Sequence, residues 1–333
     1  GTSFNTATGW MEVQNRIRKS NNRERMIKIL SYAAAVLVPV FFVGISLKYT
    51  THDYFSNKSV LIAQPILPGA AKAILTLDNG ETINLNKETA DALQTIEGTN
   101  IQIDSTTLNY QLAQSTSVSP KPVYNKVEIP RGGEYALVLS DGTKVHLNSM
   151  SSLRFPVAFT TGKREVELQG EAYFEVSKTG QPFIVNANGM QVEVLGTTLN
   201  ISAYPDEEYQ TTLVNGSVKV SAEKGESLIL KPSQQATIAL GSNSIQVRTV
   251  DTSFYTSWVK GKINFKDQRL EDIMKTLSRW YDMNVVYENE KLKNIRFGCN
   301  LNRYEEITPF VKLLEKTEEV HVKIEGNTIT FHN

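Results

Sequence analysis

One uncharged run, residues 29–47 (ILSYAAAVLVPVFFVGISL), constrains this chain more than any other feature. At 1.5 Å of rise per residue, a helix of about 19 residues spans ~28 Å, the thickness of a bilayer's hydrocarbon core. Each Ile, Leu, Val or Phe near the centre of such a helix favours insertion by about 0.3–0.6 kcal/mol, so the run as a whole favours it by several. Pro39 opposes this only mildly, because a membrane helix tolerates a kink whose freed carbonyl finds another partner. Arg16, Arg18, Lys19, Arg23, Arg25 and Lys28 precede the run, and only Lys48 and Lys58 follow it closely. Basic residues stay on the cytoplasmic side, so the expectation is a single crossing with the N-terminus inside and the bulk exported. A cleaved signal peptide would have a shorter apolar core, about 7–15 residues, and a small-residue cleavage site.

The exported part has the composition of a folded protein. Lys+Arg and Asp+Glu number 35 each, so no global field draws it to nucleic acid or anionic lipid, and the basic cluster is local. The single cysteine, Cys299, excludes an intrachain disulfide.

From about residue 60 to 250 the sequence alternates apolar and polar residues in short runs separated by turn signals, the pattern of a sandwich or a β-solenoid. LTLDNGETINL (75–85) and LVLSDGTKVHL (137–147) read as related hairpins, with Asn79-Gly80 and Asp141-Gly142 supplying the turns. Polar, proline-interrupted QLAQSTSVSPKPVYN (111–125) between them reads as a linker. In REVELQGEAYFEVS, Val166 and Leu168, then Ala172, Phe174 and Val176, alternate across a break at Gly170. Asn188-Gly189 and Asn215-Gly216 each mark a further hairpin.

The pattern changes after Trp258. A strand at 263–265 precedes a helix carrying Leu270, Ile273, Met274, Leu277, Trp280 and Tyr281, with Asp267 as its expected cap and Glu271 and Asp272 in its first turn. A strand at 285–287, another near 296–299, a helix with Ile307, Phe310, Val311 and Leu314, and a hairpin in VHVKIEGNTITFHN complete the chain. This is a small βαβ-βαβ-type two-layer domain with helices on one sheet face. The fold class is mainly β plus α+β. The expected divisions are a cytoplasmic stub (1–28), the transmembrane helix (29–47), a β-containing region and linker (48–124), a β domain (125–250) and the C-terminal domain (258–333).

Catalytic chemistry finds little support. His52, His146, His321 and His332 are scattered without companions at metal-ligand spacing, so no metal is expected. Glu165 with Glu167, and Glu171 with Glu175, resemble a carboxylate pair only superficially, because alternating strands put such residues on a solvated sheet face. Neither a phosphate-cradling loop, a nucleophile elbow nor a dinucleotide fingerprint occurs, so no cofactor is expected.

The runs IPRGGEYALVLSDGTKVHLNSMSSLRFP, REVELQGEAYFEV, PFIVNANGMQVEVLGTTLNISAY and TTLVNGSVKV closely resemble the periplasmic region of FecR-type anti-sigma factors. WVKGKINFKDQRLEDIMKTLSRWYDMNVVY is similar to the C-terminal domain attached to one branch of that family, itself like the short signalling domain of secretins and TonB-dependent transporters. The resemblance implies a single-pass inner-membrane signal transducer with its C-terminal bulk in the periplasm. It would restrain an extracytoplasmic-function sigma factor inside and respond to the signalling domain of an outer-membrane TonB-dependent transporter, without contacting nucleic acid directly. Some 28 residues before the crossing are too few for a sigma-binding domain, so the stub is expected to be the end of a longer cytoplasmic region. Trp10, Val13 and Ile17 fit either the last turns of that region or an inert amphipathic lead-in.

The same resemblance singles out Gly196-Thr197, a bond of the kind that some family members cut themselves. The Thr197 hydroxyl would attack the Gly196 carbonyl in an N-to-O acyl shift, and water would hydrolyse the ester. Otherwise Gly196 marks a bulge or bend and Thr197 resumes the strand. No enzymatic activity on other molecules is expected. Arg279, Trp280 and Tyr281 are the candidate partner-binding residues, with Trp280 also reading as core, and strand addition at a free sheet edge is the expected mode. A membrane-anchored carbohydrate-binding or envelope-scaffold protein is the alternative function.

Overall fold

The computed structural model describes residues 66–86, 92–96, 99–104, 106–110, 122–160 and 162–333. The apolar run 29–47 with its basic flank, Pro39, the stub with Trp10, Val13 and Ile17, His52 and most of the polar linker lie outside the described residues. No helix among the described residues is long and apolar enough to cross a membrane. The described residues all belong to one compact unit.

Most of that unit is a sandwich. One sheet runs, by hydrogen-bonded neighbours, from Thr82–Leu85 through Ala73–Thr76, Tyr124–Glu128 and Ser152–Pro156 to the first half of Arg164–Glu175. It continues through Phe183–Ala187, Met190–Val194, Val218–Ala222 and Ser227–Leu230. The other runs from Ala92–Ile96 through Thr99–Ile103, Thr107–Asn109, Gly133–Val138 and Lys144–Leu147 to the second half of Arg164–Glu175. Thr198–Ala203, Tyr209–Asn215, Gln234–Ile238 and Gln246–Thr249 complete it. The ladders are predominantly antiparallel and both sheets feed one core, so the open choice between sandwich and solenoid resolves to a sandwich. Because Ala73–Thr76 pairs with Tyr124–Glu128, the chain before and after the polar segment 111–121 shares one sheet.

Arg164–Glu175 belongs to both sheets. Its odd and even residues alternate between core and surface, with Val166, Leu168, Ala172 and Phe174 inside. At Gly170 the backbone turns to φ +86, and a Cβ there would sit 2.5 Å from the Ser151 hydroxyl. Only glycine fits, and the kink carries the strand from one sheet into the other.

The hairpins at 75–85 and 137–147 form as expected, closed by Gly80 and Gly142 amides on the Leu77 and Leu139 carbonyls. Asn188-Gly189 also closes a hairpin, both residues having positive φ (47 and 83). Asn215-Gly216 does not. Tyr209–Asn215 and Val218–Ala222 lie in different sheets, and only Gly216 is left-handed (φ +100), so this pair is a corner between sheets.

The C-terminal region follows the expected element order: Lys262–Arg269, the helix Leu270–Trp280, Asn284–Tyr287, Arg296–Asn302, the helix Thr308–Glu315 and the hairpin His321–Glu325 with Thr328–His332. Its strands form two sheets where one was expected. Among the described residues Lys262–Arg269 pairs only with Arg296–Asn302, whereas Thr328–His332 is the middle strand between Asn284–Tyr287 and His321–Glu325. Both helices and both sheets share one core around Leu277, Met283, Ile329 and Phe331. Asp267 does not cap the first helix. It sits at a bulge in the preceding strand with φ +50, and the Leu270 amide instead donates to the Ile295 carbonyl at 2.7 Å.

Candidate functional site

The sandwich and the C-terminal domain meet around a cleft of about 750 Å³. Its floor is built from Glu171, Asn148 and Asn200 of the sandwich, and Trp258, Arg279, Trp280 and Arg303 close it from the other side. Glu171 comes from the long strand just past the Gly170 kink, where the polar face of that strand turns beneath the C-terminal domain. Its two carboxylate oxygens accept from Asn200 Nδ2 (2.9 Å) and Asn148 Nδ2 (2.7 Å). Each amide then reaches across the seam with its oxygen. Asn200 Oδ1 accepts from Trp258 Nε1 (3.1 Å), and Asn148 Oδ1 accepts from Arg303 Nη2 (3.0 Å). Every polar atom in this relay has a fixed sense, since a carboxylate can only accept and a guanidinium or indole N–H can only donate.

Burial pushes the Glu171 carboxyl above its ordinary value, and the two asparagine hydrogen bonds, with the Arg279 and Arg303 charges, pull the other way. Arg303 is 1% exposed. Its guanidinium lies 3.6 Å from the Trp280 ring centroid, donates to the Trp258 carbonyl at 3.2 Å and lies 3.5 Å from the Glu134 carboxylate. Desolvation lowers its pKa, opposed by Glu134 first among the neighbouring acids, but a guanidinium remains charged throughout the physiological range.

The three candidate partner-binding residues all face inward in this structure. Trp280 is 2% exposed, donates through Nε1 to the Arg303 carbonyl and meets Tyr304 edge-on. Tyr281 is buried with its hydroxyl on the Glu305 carbonyl at 2.7 Å, and burial pushes its pKa up to about 12. Arg279 is half-buried: it donates to Glu207 at 2.5 Å and stacks over Tyr204 at 3.9 Å. Tyr204 in turn fixes the sandwich loop by donating to the Ser149 carbonyl. The helix stripe therefore accounts for Trp280, while Arg279 and Tyr281 are engaged within the chain.

At the other candidate position, Thr197 is 5% exposed and donates its hydroxyl to the Ser217 carbonyl at 3.0 Å. Lys178 crosses Gly196 so closely that a Cβ would lie 2.2 Å from its Cγ. Gly196 lies in the bend between Met190–Val194 and Thr198–Ala203; Thr197 precedes that strand rather than resuming it, and the ladder shifts register further on, between Thr198 and Leu199. A carbonyl is the acceptor placed at the Thr197 hydroxyl, and a carbonyl is not a general base.

Glu165, Glu167 and Glu175 are exposed on the sheet surface, as the alternation requires. No cluster of three metal-ligating side chains occurs among the described residues. Burial pushes the Cys299 thiol up to about 11, which keeps it protonated and unreactive. Sequence reasoning missed Arg303, Asn148, Asn200 and the distinct role of Glu171. The signal that was available is a lone arginine, Arg303, following an alternating strand, which local periodicity cannot place.

Comparison with known proteins follows this division of the chain. Residues 125–219 match the family model FecR protein, and residues 262–331 match FecR, C-terminal. Two crystal structures of a candidate anti-sigma factor from Parabacteroides distasonis, at 1.65 and 2.50 Å resolution, are similar to this chain at 25% identity and a TM-score of 0.58. They cover 62% and 63% of this chain and 98% and 99% of their own. No curated protein sequence matches.

Proposed function

We propose that this chain, which belongs to the FecR family, acts as an anti-sigma factor that carries a signal across the inner membrane. The observation that carries the reading is the pairing of a FecR domain with a FecR C-terminal domain in one compact unit, in a chain similar over most of that unit to a candidate anti-sigma factor. The apolar run 29–47 would anchor it once, with the stub inside and the described residues in the periplasm. Its partner inside would be an extracytoplasmic-function sigma factor, bound through sequence upstream of residue 29. Its partner outside would be the signalling domain of a TonB-dependent outer-membrane transporter.

The C-terminal domain has the means to receive such a domain. Asn284–Tyr287 and His321–Glu325 are outer strands of its three-stranded sheet, with Val286 46% exposed. An edge of this kind adds a strand from another chain through backbone hydrogen bonds, with alternate side chains selecting the partner. Deleting residues 258–333 is expected to abolish capture of a transporter signalling domain in a pull-down. Undiminished capture by the deleted chain would reject the assignment. Glycan binding by the periplasmic part, with no capture of a signalling domain, would favour the carbohydrate-binding alternative instead.

A further inference from the structure

Residues 66–72, where the described chain begins, are held by both halves of the folded unit. Ile66 is 7% exposed and belongs to the core of the C-terminal domain, although in sequence it precedes the whole sandwich. Three residues on, Gly69 passes between the halves so tightly that a Cβ would lie 2.7 Å from the Gly132 carbonyl and 2.8 Å from the Trp280 ring. Ala70 and Ala71 then pair in parallel with Gly133 and Glu134, the Ala70 amide donating to the Gly132 carbonyl (2.9 Å) and the Lys72 amide to the Glu134 carbonyl (3.2 Å).

The sandwich loop that receives this strap is itself bonded to the C-terminal domain. The Gly132 amide donates to the Arg279 carbonyl at 2.7 Å, and Arg131 donates to the Met283 carbonyl at 3.1 Å. Glu134 holds the strap with its backbone while its carboxylate accepts from the Tyr304 hydroxyl (3.0 Å) and faces Arg303. Strap, loop and helix end thus share one set of atoms.

We propose that residues 66–72 are a latch: Trp280 and the core of the C-terminal domain hold the chain's own strap against the sandwich loop 131–134, so moving that domain off the sandwich releases the strap. Ile66 loses its pocket and Gly69 its aromatic wall, leaving the two-residue parallel pairing of Ala70 and Ala71 with Gly133 and Glu134. Such a segment opens locally with little of the global free energy of unfolding. The latch rests on the geometry alone. Its use as the path from receiver to membrane rests on the function proposed above.

Because coupling between two sites is reciprocal, the latch is tested from both ends by hydrogen exchange on the full chain. Glu207→Arg sets a like charge against Arg279 on the domain side, and Gly69→Val wedges the strap side. Glu207→Arg is expected to raise exchange at the Ala70 and Lys72 amides at least tenfold, and Gly69→Val to do the same at the Tyr281 and Met283 amides. Amides of Thr198–Ala203 should be unchanged and serve as the internal reference. Unchanged strap amides in Glu207→Arg overturn the proposal, whatever Gly69→Val does to its own side. Exchange coupled as expected, with no capture of a transporter signalling domain, would keep the latch and reject the signalling role.

Discussion

The sandwich interior and the seam under the C-terminal domain are both largely closed to water, but the first is lined by Leu, Ile, Val and Phe and the second by Arg303, Glu171, two asparagines and two tryptophans. Apolar burial is non-directional, so the sandwich gains from contact wherever its side chains interdigitate. The seam gains only when each donor meets its acceptor, because an unpaired buried charge or amide costs more than the pair contributes. One region is therefore built to persist through small distortions. The other has a single productive alignment and loses much of its stabilisation once displaced.

The largest test of this contrast pairs Phe174→Ala with Arg303→Ala, each expected to cost about 3–5 kcal/mol. Calorimetry should show the first lowering the sandwich transition. The second should split off an earlier transition for the C-terminal domain and leave the sandwich midpoint nearly unmoved; a common downward shift in both variants would erase the distinction. Next comes Arg279→Ala, expected to weaken docking by about 1–3 kcal/mol, since it removes a charged hydrogen bond and the cover over Tyr204. A double-mutant cycle with Glu207→Ala should return a coupling of at least ~0.5 kcal/mol, and additivity would show the pair to be idle.

Glu171 sharpens the comparison through pH. Its native pKa is raised, so the folded state binds its proton more readily than the unfolded state does. The resulting stabilisation is complete below the ordinary carboxylate value of 4.5 and is lost as the pH rises through the raised native value. Stability should therefore fall with rising pH across that window, and Glu171→Gln should flatten the slope in denaturant titrations. An unchanged slope in the variant would assign it to another group. The smallest effect is expected at Thr197→Ala, about 0.5–1.5 kcal/mol for one hydrogen bond to the Ser217 carbonyl. The purified protein is expected to run as a single band with or without the substitution. A pair of fragments meeting at Gly196-Thr197, absent in Thr197→Ala, would establish self-cleavage.

Period-two and helical patterns carried most of the element assignments because they report local burial, and local burial is what a strand or helix face encodes. Trp280 was legible as core for the same reason. Glu171 was not, because Glu165, Glu167, Glu171 and Glu175 all occupy the polar positions of one strand and differ only in what a distant domain places over them. Asn188-Gly189 and Asn215-Gly216 are likewise identical as dipeptides. Which of them joins neighbouring strands depends on pairing across the sheets, and no residue near the turn records it. The split of the C-terminal strands into two sheets was hidden in the same way: each strand showed its alternation, but the choice of partner is non-local.

The strand Arg164–Glu175 carries a consequence for how the chain reaches this state. It bonds to Ser152–Pro156 and Phe183–Ala187 in one sheet and to Lys144–Leu147 and Thr198–Ala203 in the other, so neither sheet is complete until it is in place. The outlying strand Ala73–Thr76 must also find Tyr124–Glu128 across a long intervening stretch that itself carries Thr82–Leu85, Ala92–Ile96, Thr99–Ile103 and Thr107–Asn109. Closing such loops costs entropy before any contact repays it, and topologies of this kind fold in milliseconds to seconds. Refolding of the sandwich should accordingly be slow, with Gly170 at the rate-determining junction: Gly170→Ala is expected to slow it more than any surface glycine replacement.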